Sequence, residues 1–595
     1  MRERTADTRA ALALLVLAAA PFYLWGLGTV GFQDPDEGMY AEIAREMLAN
    51  RDWVVPTFNG VPYVEKPPLM YWLTAVTLAV LGPSEFAARL WKVLPVLGTV
   101  AMTGALGRRL CSPRVGIMGA GILATTLGTF LFSRISMMDP LLLFGVSLAA
   151  YGVACAAERS GRGDLWFWLG VSIGVMSKGL PGLAFPLALL GWWALVRRDA
   201  GAFRAVWTGR GVLVATVLII PWHALASWEV AGFFRFYVVD NQILRFLGTR
   251  AYAEDGTSLG TLAFLGVTAA ALFPWTPVLA AALDVAARGL ARDPSLRFLL
   301  GWAGLVVGLF LFSSFKLEYY ALSAFPATAL VAAVLVCRAA DSSSAKESAR
   351  GLSARAERGA LRRWAWISLS GGILFCLAVA WMWRATSLNP TRIVQGLSFW
   401  STNYRIILDH GLPLPPVSPG RYAAVLLGGG ALWTAGFGAA VCFLSRRRVP
   451  AAAAAIGAVG VGMCLLAGVV LREVGPHHSL KPLAERLNVL LQPSDVLIHE
   501  RSVEKSGGLL FYTKRQVLIL NGRRGDLAFG SGLPGRGRCF IDTQEFRELW
   551  DGSARAFLVT DLPAPRSAIG EVAPGASTLI ASTGTRWLYA NRPAP

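Results

Sequence analysis

The sequence predicts a polytopic all-α membrane protein with a small soluble α/β domain at its C-terminal end. Three observations predict it. About thirteen long apolar runs fill residues 10–472. Only 16% of the 595 residues are charged and 54% are hydrophobic, whereas about a quarter of an ordinary soluble chain is charged. The arginines gather in the short loops between the runs. In lipid only helices and closed barrels satisfy every backbone amide, and the alternating segments of a barrel are absent.

The first run, about 10–31, follows Arg2, Arg4 and Arg9 and ends in Tyr23-Leu-Trp-Gly-Leu-Gly28 with no small-residue cleavage site. It reads as a retained first helix. Residues 36–49 read as an amphipathic helix lying at the interface, with Tyr40, Ile43 and Met47 on one face and Glu42 and Glu46 elsewhere. The run 69–82 starts after Pro67-Pro68 and stops at Gly82-Pro83. Its helix would rise about 21 Å, too little for a hydrocarbon core of about 30 Å, so it too is read as interfacial. The remaining spans fall at about 84–107, 115–134, 140–158, 164–177, 181–196, 211–226, 259–285, 299–314, 318–337, 364–383, 421–444 and 451–471.

Charge parity supports this count. With 69–82 left out of the spans, every arginine-rich loop lies on one side: Arg108, Arg109 and Arg114; Arg159 and Arg162; Arg197, Arg198, Arg204 and Arg210; Arg288, Arg292 and Arg297; the long loop 338–363; and Arg446 to Arg448. The positive-inside rule makes that side cytoplasmic. The expectation is thirteen spans, N-terminus inside and C-terminus outside. The net charge of +19 is thereby accounted for, and no nucleic-acid partner is expected.

After Arg472 the composition turns soluble-like, with strands at Asp495–His499, Gln516–Leu520 and Arg555–Thr560 and helices at 479–491 and 543–551. The division expected is a membrane domain over 1–472 and an extracytoplasmic α/β domain over 473–595. Three of the seven cysteines, Cys155, Cys376 and Cys464, lie in apolar runs, and Cys539 is alone in the C-terminal region, so no disulfide framework is expected.

The same parity places Asp34, Asp36, Glu37, Glu65, Lys66, Asp139, Lys178, Asp240 and Lys316 at the outer surface, from separate loops. Charges of both signs at one depth point to a polar pocket opening outward. Each also has a plainer reading. Asp34 or Asp36 can cap the helix that follows, with Glu37 in its first turn, and Asp139 precedes a proline at a helix start. Lys178 can snorkel. Lysines on the outer side run against the charge rule, however, and a phosphate is the anion that two or three of them suit. Tyr63-Val-Glu65-Lys66-Pro-Pro68 holds an acid and a base on a backbone stiffened by two prolines.

Taken in order, Asp34-Pro-Asp-Glu-Gly-Met-Tyr40-Ala-Glu-Ile, Tyr63-Val-Glu-Lys-Pro-Pro, Met138-Asp-Pro, Ser177-Lys-Gly and Lys316-Leu-x-x-Tyr320 resemble the GT-C glycosyltransferases of the protein O-mannosyltransferase and aminoarabinose (lipid A) transferase superfamily. The resemblance spans the whole membrane region. It implies an inner-membrane glycosyltransferase of the cell envelope that moves a monosaccharide from a polyprenyl-phosphate carrier, such as undecaprenyl phosphate, to a lipid A-like lipid or glycan on the outer face, with inversion. By the same resemblance Asp36 is the catalytic base, assisted by Asp139, with Glu37 in the catalytic set. Lys66, Lys178, Arg245 and Lys316 would hold the donor phosphate, and Tyr40, Tyr63, Tyr320 and Glu500 would shape the sugar and acceptor pocket. In the outer domain, Glu500 and Ser506-Gly-Gly-Leu-Leu-Phe-Tyr512 resemble the family's C-terminal pattern, which caps the acceptor cavity; an ordinary strand and turn is the plainer reading.

Glu65 matches a position that holds a metal, with a histidine, in some relatives. Here the corresponding loop reads Asp240-Asn-Gln-Ile-Leu-Arg245-Phe246, and none of the histidines (223, 410, 477, 478 and 499) lies in it. A zinc site is therefore disfavoured, and a hard divalent cation on Asp36, Asp139 and Glu65 is the remaining cofactor option. Two other functions fit the sequence less well: transfer to a protein Ser/Thr, and transport or flipping of a lipid-linked sugar. Transport would place charges at mid-membrane on paired broken helices.

Overall fold

The computed structural model describes residues 2–34, 36–135, 138–159, 161–198, 200–251, 258–287, 293–341, 351–386, 419–523, 525–535, 537–574, 577–583 and 586–592. The chain is a multi-span helical membrane protein carrying a C-terminal sheet. Ten helices among the described residues are long and apolar enough to cross a membrane, and two bent pairs raise the number to twelve. The straight ones relevant to the site are α1 (Arg2–Leu24), α4 (Glu85–Leu110), α7 (Asp139–Ala157) and α9 (Leu180–Arg197). The first bent pair is α5 (Pro113–Ala124) with α6 (Leu127–Ile135), at 54°.

The fifth of the thirteen expected spans, 164–177, is α8 (Gly163–Lys178), only 16 residues long. It rises about 24 Å, short of a full hydrocarbon core, and falls outside the group of long apolar helices. The short run 69–82 is α3 (Leu69–Leu81), 13 residues, and α2 (Asp36–Asn50) fills the segment expected to be interfacial. Helix α2 is not half-exposed as a surface helix would be: Glu42 is 1% and Glu46 5% exposed. Arg45 pairs with Glu42 at 2.6 Å, while Thr57 and the amide of Gly60 donate to Glu46. The polar face is buried because the segment 57–60 covers Glu46, while the C-terminal region packs on the apolar residues of α2.

Helices α7 and α8 run antiparallel with their backbones in contact. A Cβ at Gly145 would lie 2.7 Å from the Gly170 carbonyl, and one at Gly152 would lie 2.4 Å from the Phe167 amide. This closeness brings the first residue of α7, Asp139, against the last residue of α8, Lys178. The chain continues through α10 (Gly201–Val206), α11 (Gly209–Glu229) and a π-helical turn at Arg235–Leu244, then α12 (Thr261–Ala271), α13 (Thr276–Ala287), α14 (Pro294–Phe312) and α15 (Phe325–Asp341). Helices α16 (Gly351–Thr386), α17 (Pro419–Ser445) and α18 (Val449–His478) close the membrane part. Helix α18 continues past Arg472 to His478.

Helix α19 (Lys481–Leu490) leads into a six-stranded sheet of order β5-β4-β3-β6-β8-β7. Strands β3 (Val496–Glu500), β4 (Leu518–Leu520), β5 (Phe540–Ile541) and β6 (Ala556–Thr560) pair in parallel. Strand β8 (Arg586–Ala590) pairs antiparallel with β6, and the edge strand β7 (Thr578–Thr583) pairs antiparallel with β8. A hairpin of β1 (Thr57–Phe58) and β2 (Val61–Pro62) lies in the first loop region. One apolar core runs through Met39, Ile43, Tyr71, Leu483, Leu510 and Phe557, so the sheet region and α2 are packed as a unit.

The contact is tightest at α20 (Gly507–Thr513). A Cβ on Gly507 would meet the Met39 amide at 2.1 Å, and one on Gly38 would meet the Gly508 amide at 2.2 Å. The segment 506–512 is therefore helical and packed against α2, where a strand and turn is the simplest reading of its sequence.

Candidate active site

Helix α2 begins at Asp36, which is half-buried. The phenol of Tyr319 feels the charges of both Asp36 and Asp139, with Tyr40 and Tyr320 close by. Burial, reinforced by those carboxylates, pushes its proton affinity well above that of free tyrosine. Tyr319 thus marks the point where α2, α7 and the loop after α14 meet. Lys178 donates to Asp139 at 2.5 Å, and its ammonium lies 5.1 Å from the Tyr319 ring and 4.8 Å from the Tyr320 ring. Lys66 and Arg245 are within electrostatic reach of the same ammonium. Asp36, Asp139, Lys66, Lys178, Arg245, Tyr40 and Tyr320 therefore surround one region, although they come from well-separated stretches of chain.

Glu65 anchors the cationic side. Its carboxylate is 1% exposed and accepts from Lys66 at 2.5 Å, Arg245 at 2.7 Å and the hydroxyl of Tyr63 at 3.1 Å. Arg250 bridges it to Asp240, at 3.8 Å and 3.4 Å. Asn241 donates to the Glu65 carbonyl, and Arg245 lies 4.8 Å over the Phe315 ring. Lys66, Arg245 and Arg250 outnumber the two carboxylates of these pairs, Glu65 and Asp240, and an excess positive charge in a low-dielectric setting suits a phosphate.

This donor set does not fit a metal. Glu65 already pairs with an ammonium and two guanidiniums and accepts from a phenol. Among the described residues, no three His, Cys, Asp or Glu side chains converge on a metal-sized site. The option of a divalent cation on Asp36, Asp139 and Glu65 gives way to the Asp139–Lys178 and Glu65–Lys66 ion pairs.

Three further expectations change. Glu37, beside Asp36, turns the other way and is 3% exposed. Arg89 grips it at 2.7 and 2.8 Å, Lys92 donates at 2.5 Å and the Gln33 amide at 3.0 Å. Burial opposes its charge, but Arg89 and Lys92 override that and hold it at about 2. A carboxylate so neutralised orders the start of α2; it is not available as a base. Lys316 turns into its own loop, where its buried ammonium donates to the Ser313 carbonyl at 2.5 Å. Glu500 lies inside the sheet region, accepting from Thr560 at 2.6 Å, from Ser567 and from the Ala568 amide at 2.8 Å. It fixes that region's interior.

Sequence reasoning missed Tyr319, Asn241 and Arg250. Tyr319 could have been found, because it adjoins Tyr320 in the same motif. Arg250 had no such signal, since it acts by bridging carboxylates 185 and 10 positions away.

With the geometry in place, the comparisons are informative. The family model for dolichyl-phosphate-mannose-protein mannosyltransferase matches residues 13–237. The undecaprenyl phosphate-alpha-4-amino-4-deoxy-L-arabinose arabinosyl transferase of Edwardsiella ictaluri (strain 93-146) is 27% identical over 527 residues, 86% of each chain. The enzyme of the same name from Erwinia tasmaniensis is 26% identical over 549 residues, 91% of this chain and 90% of that one. Among solved structures, ArnT from Cupriavidus metallidurans bound to undecaprenyl phosphate has a TM-score of 0.75 at 23% identity, covering 98% of both chains. Its apo form gives 0.77 at 22% identity, covering 98% of this chain and 97% of that one. Over nearly its full length the chain is thus similar in sequence to the aminoarabinose transferases and has their fold, which supports a GT-C glycosyltransferase of the protein O-mannosyltransferase and aminoarabinose transferase type.

Proposed function

We propose that this glycosyltransferase moves a monosaccharide from a polyprenyl-phosphate carrier to a hydroxyl- or phosphate-bearing lipid or glycan at the extracytoplasmic face of the inner membrane. The observation that carries the reading is the meeting of Asp36, the Asp139–Lys178 pair, Lys66 and Arg245 around one region. The names of the long relatives add the carrier class, undecaprenyl phosphate, and a pentose as the sugar. The face bearing α2 and the C-terminal sheet is taken as extracytoplasmic because the arginine-rich loops lie at the opposite ends of the spans.

In this reading the carrier phosphate sits against Lys66, Arg245 and Lys178. Asp36 accepts the proton of the acceptor oxygen as that oxygen attacks the anomeric carbon. The bond from that carbon to the phosphate oxygen breaks, and the departing polyprenyl phosphate keeps the electron pair, its charge balanced by the three cations. Attack from the face opposite the leaving group inverts the centre. Asp139 holds Lys178 in place.

The test is reconstitution of the purified chain with radiolabelled undecaprenyl-phosphate aminoarabinose and a phosphorylated glucosamine lipid. Label on the lipid, with release of free carrier phosphate, supports the reading. Label that crosses the vesicle wall still on its carrier would instead mean transport. Label on a Ser/Thr peptide but not on the lipid would mean protein glycosylation.

A further inference from the structure

A second cationic cluster lies on the other side of the first turn of α2. The ends of α1, α6 and α18 leave a cleft of about 410 Å³, open solvent included, lined by Trp25, Gln33, Arg89, Arg134, Leu471 and Arg472. Arg89 spends its donors on Glu37 and on the carbonyls of Leu27, Val30 and Gly31. Arg134 is different. It is 8% exposed, and one terminal nitrogen donates to the carbonyls of Phe22, Tyr23 and Trp25 at the end of α1. Its buried Nε has no hydrogen-bond partner among the described residues. Arg472 is exposed and lies 4.3 Å over the Trp25 ring, and no carboxylate among the described residues pairs with it. Its neighbour Glu473 pairs with Arg421 at 2.9 Å. Glu37 is consumed by Arg89 and Lys92 and is not paired with Arg134 or Arg472. A buried guanidinium donor left unmet beside an exposed arginine calls for an anion with several acceptor oxygens.

The surface below the cleft says what kind of molecule carries that anion. Val461, Leu465 and Val469 are exposed and recur every fourth residue along α18, and Arg472 follows three residues later on the same face. An apolar stripe running along a membrane helix to a guanidinium fits an acyl chain ending in an anionic headgroup. The carrier is already provided for at Lys66, Lys178 and Arg245. The first turn of α2 divides the two clusters, since Asp36 acts on Tyr319 while its neighbour Glu37 is bound to Arg89.

We propose that this cleft binds the phosphate of a second membrane lipid through Arg134 and Arg472, and that this lipid is the acceptor, held beside Asp36 on the side opposite the carrier. That it is the acceptor rests on the transfer reading above; that a lipid phosphate binds there does not.

The test uses the full-length protein in nanodiscs. Four probes are titrated: a diphosphorylated acylated glucosamine disaccharide, the same lipid without phosphates, undecaprenyl phosphate, and inorganic phosphate. Arg472→Gln and Arg472→Glu are the main variants, because an exposed side chain can be replaced without unfolding the helix; Arg134→Gln is the third. The expected result is at least a fivefold loss of affinity for the phosphorylated lipid in Arg472→Gln and a larger loss in Arg472→Glu. Binding of the dephosphorylated lipid and of undecaprenyl phosphate should stay within twofold of wild type. The proposal is overturned if Arg472→Glu binds the phosphorylated lipid as wild type does. It is also overturned if undecaprenyl phosphate binding falls in parallel, or if inorganic phosphate displaces the lipid at equal concentration, which would mark a free-anion site. Lipid binding that depends on Arg472, in a wild-type protein that transfers no sugar, would leave the site standing and sink only the transfer reading.

Discussion

Asp36 and Glu37 are adjacent carboxylates with opposite fates. Glu37 is buried between Arg89 and Lys92, whereas Asp36 is half-buried at the cationic pocket. Replacing Glu37 with Gln leaves two buried cations without their counter-charge, and breaking such a network costs about 3–5 kcal/mol. Glu37→Gln should therefore lower the melting temperature of the purified protein markedly; a melting temperature within one degree of wild type would show that the ion pairs do not order α2. Lys66→Ala should weaken undecaprenyl phosphate binding by about tenfold, the scale of one charge-assisted contact, measured by titration in nanodiscs. Unchanged affinity would remove Lys66 from the donor site. The sequence displayed the acidic run and the lysines, and charge parity gave the expectation that they share one face. It could not show which carboxylate was already neutralised, because Arg89 and Lys92 lie 52 and 55 positions from Glu37 inside an apolar helix.

Among the elements, α2 and the α7–α8 pair do most to set the site. Long-range glycine contacts hold both. Gly38 and Gly507 each face the other segment's backbone at about 2 Å from where a Cβ would stand. Gly507→Ala should push α20 off α2 and, as overpacking does, cost about 1–3 kcal/mol. Because α2 carries Asp36, turnover should drop while the membrane helices stay intact, which a parallel assay of transfer and of circular dichroism can check. Unaltered turnover would mean that α20 does not position the base. The existence of α2, α3 and the strands β3, β4 and β6 was legible from periodicity and turn residues. The burial of Glu42 and Glu46 was not, since a helix wet on one side and a helix covered on both have the same spacing of apolar residues. Helix α8 was likewise readable as an apolar run, but its 16-residue length follows from the stop at Gly179, which has a positive φ of 77°.

For the whole molecule, the C-terminal sheet region and the membrane helices are joined by polar contacts as well as by a shared core. Asp34 accepts from the Gly508 amide at 2.9 Å, and Tyr512 links the Phe32 amide to Glu85, which Lys481 also reaches at 2.7 Å. Burial raises Asp34 from the ordinary carboxylate value to about 7, only partly offset by the Gly508 amide and by Arg586. An acid raised on folding binds its proton more tightly when folded than when unfolded. Its contribution to stability is thus full below about 4 and is lost as pH rises through about 7. The melting temperature should accordingly fall between pH 5 and pH 8, and Asp34→Asn, which stays neutral, should flatten that fall. An Asn variant with the wild-type slope would contradict the assignment. The overall architecture was legible because apolar length and arginine placement are properties of the sequence alone. The docking of the two parts was not, since it depends on glycine-to-glycine contacts across more than 400 positions.

The central claim is that Asp36 removes the acceptor proton while cations from other loops hold the carrier phosphate. The most direct measurement is single-turnover transfer from pre-bound, radiolabelled undecaprenyl-phosphate sugar by wild type and Asp36→Asn in the same nanodiscs. The account predicts carrier affinity within twofold of wild type and a transfer rate lower by about 10²–10⁴-fold, the range for loss of a general base. A transfer rate within threefold of wild type, with the carrier still bound, would contradict it.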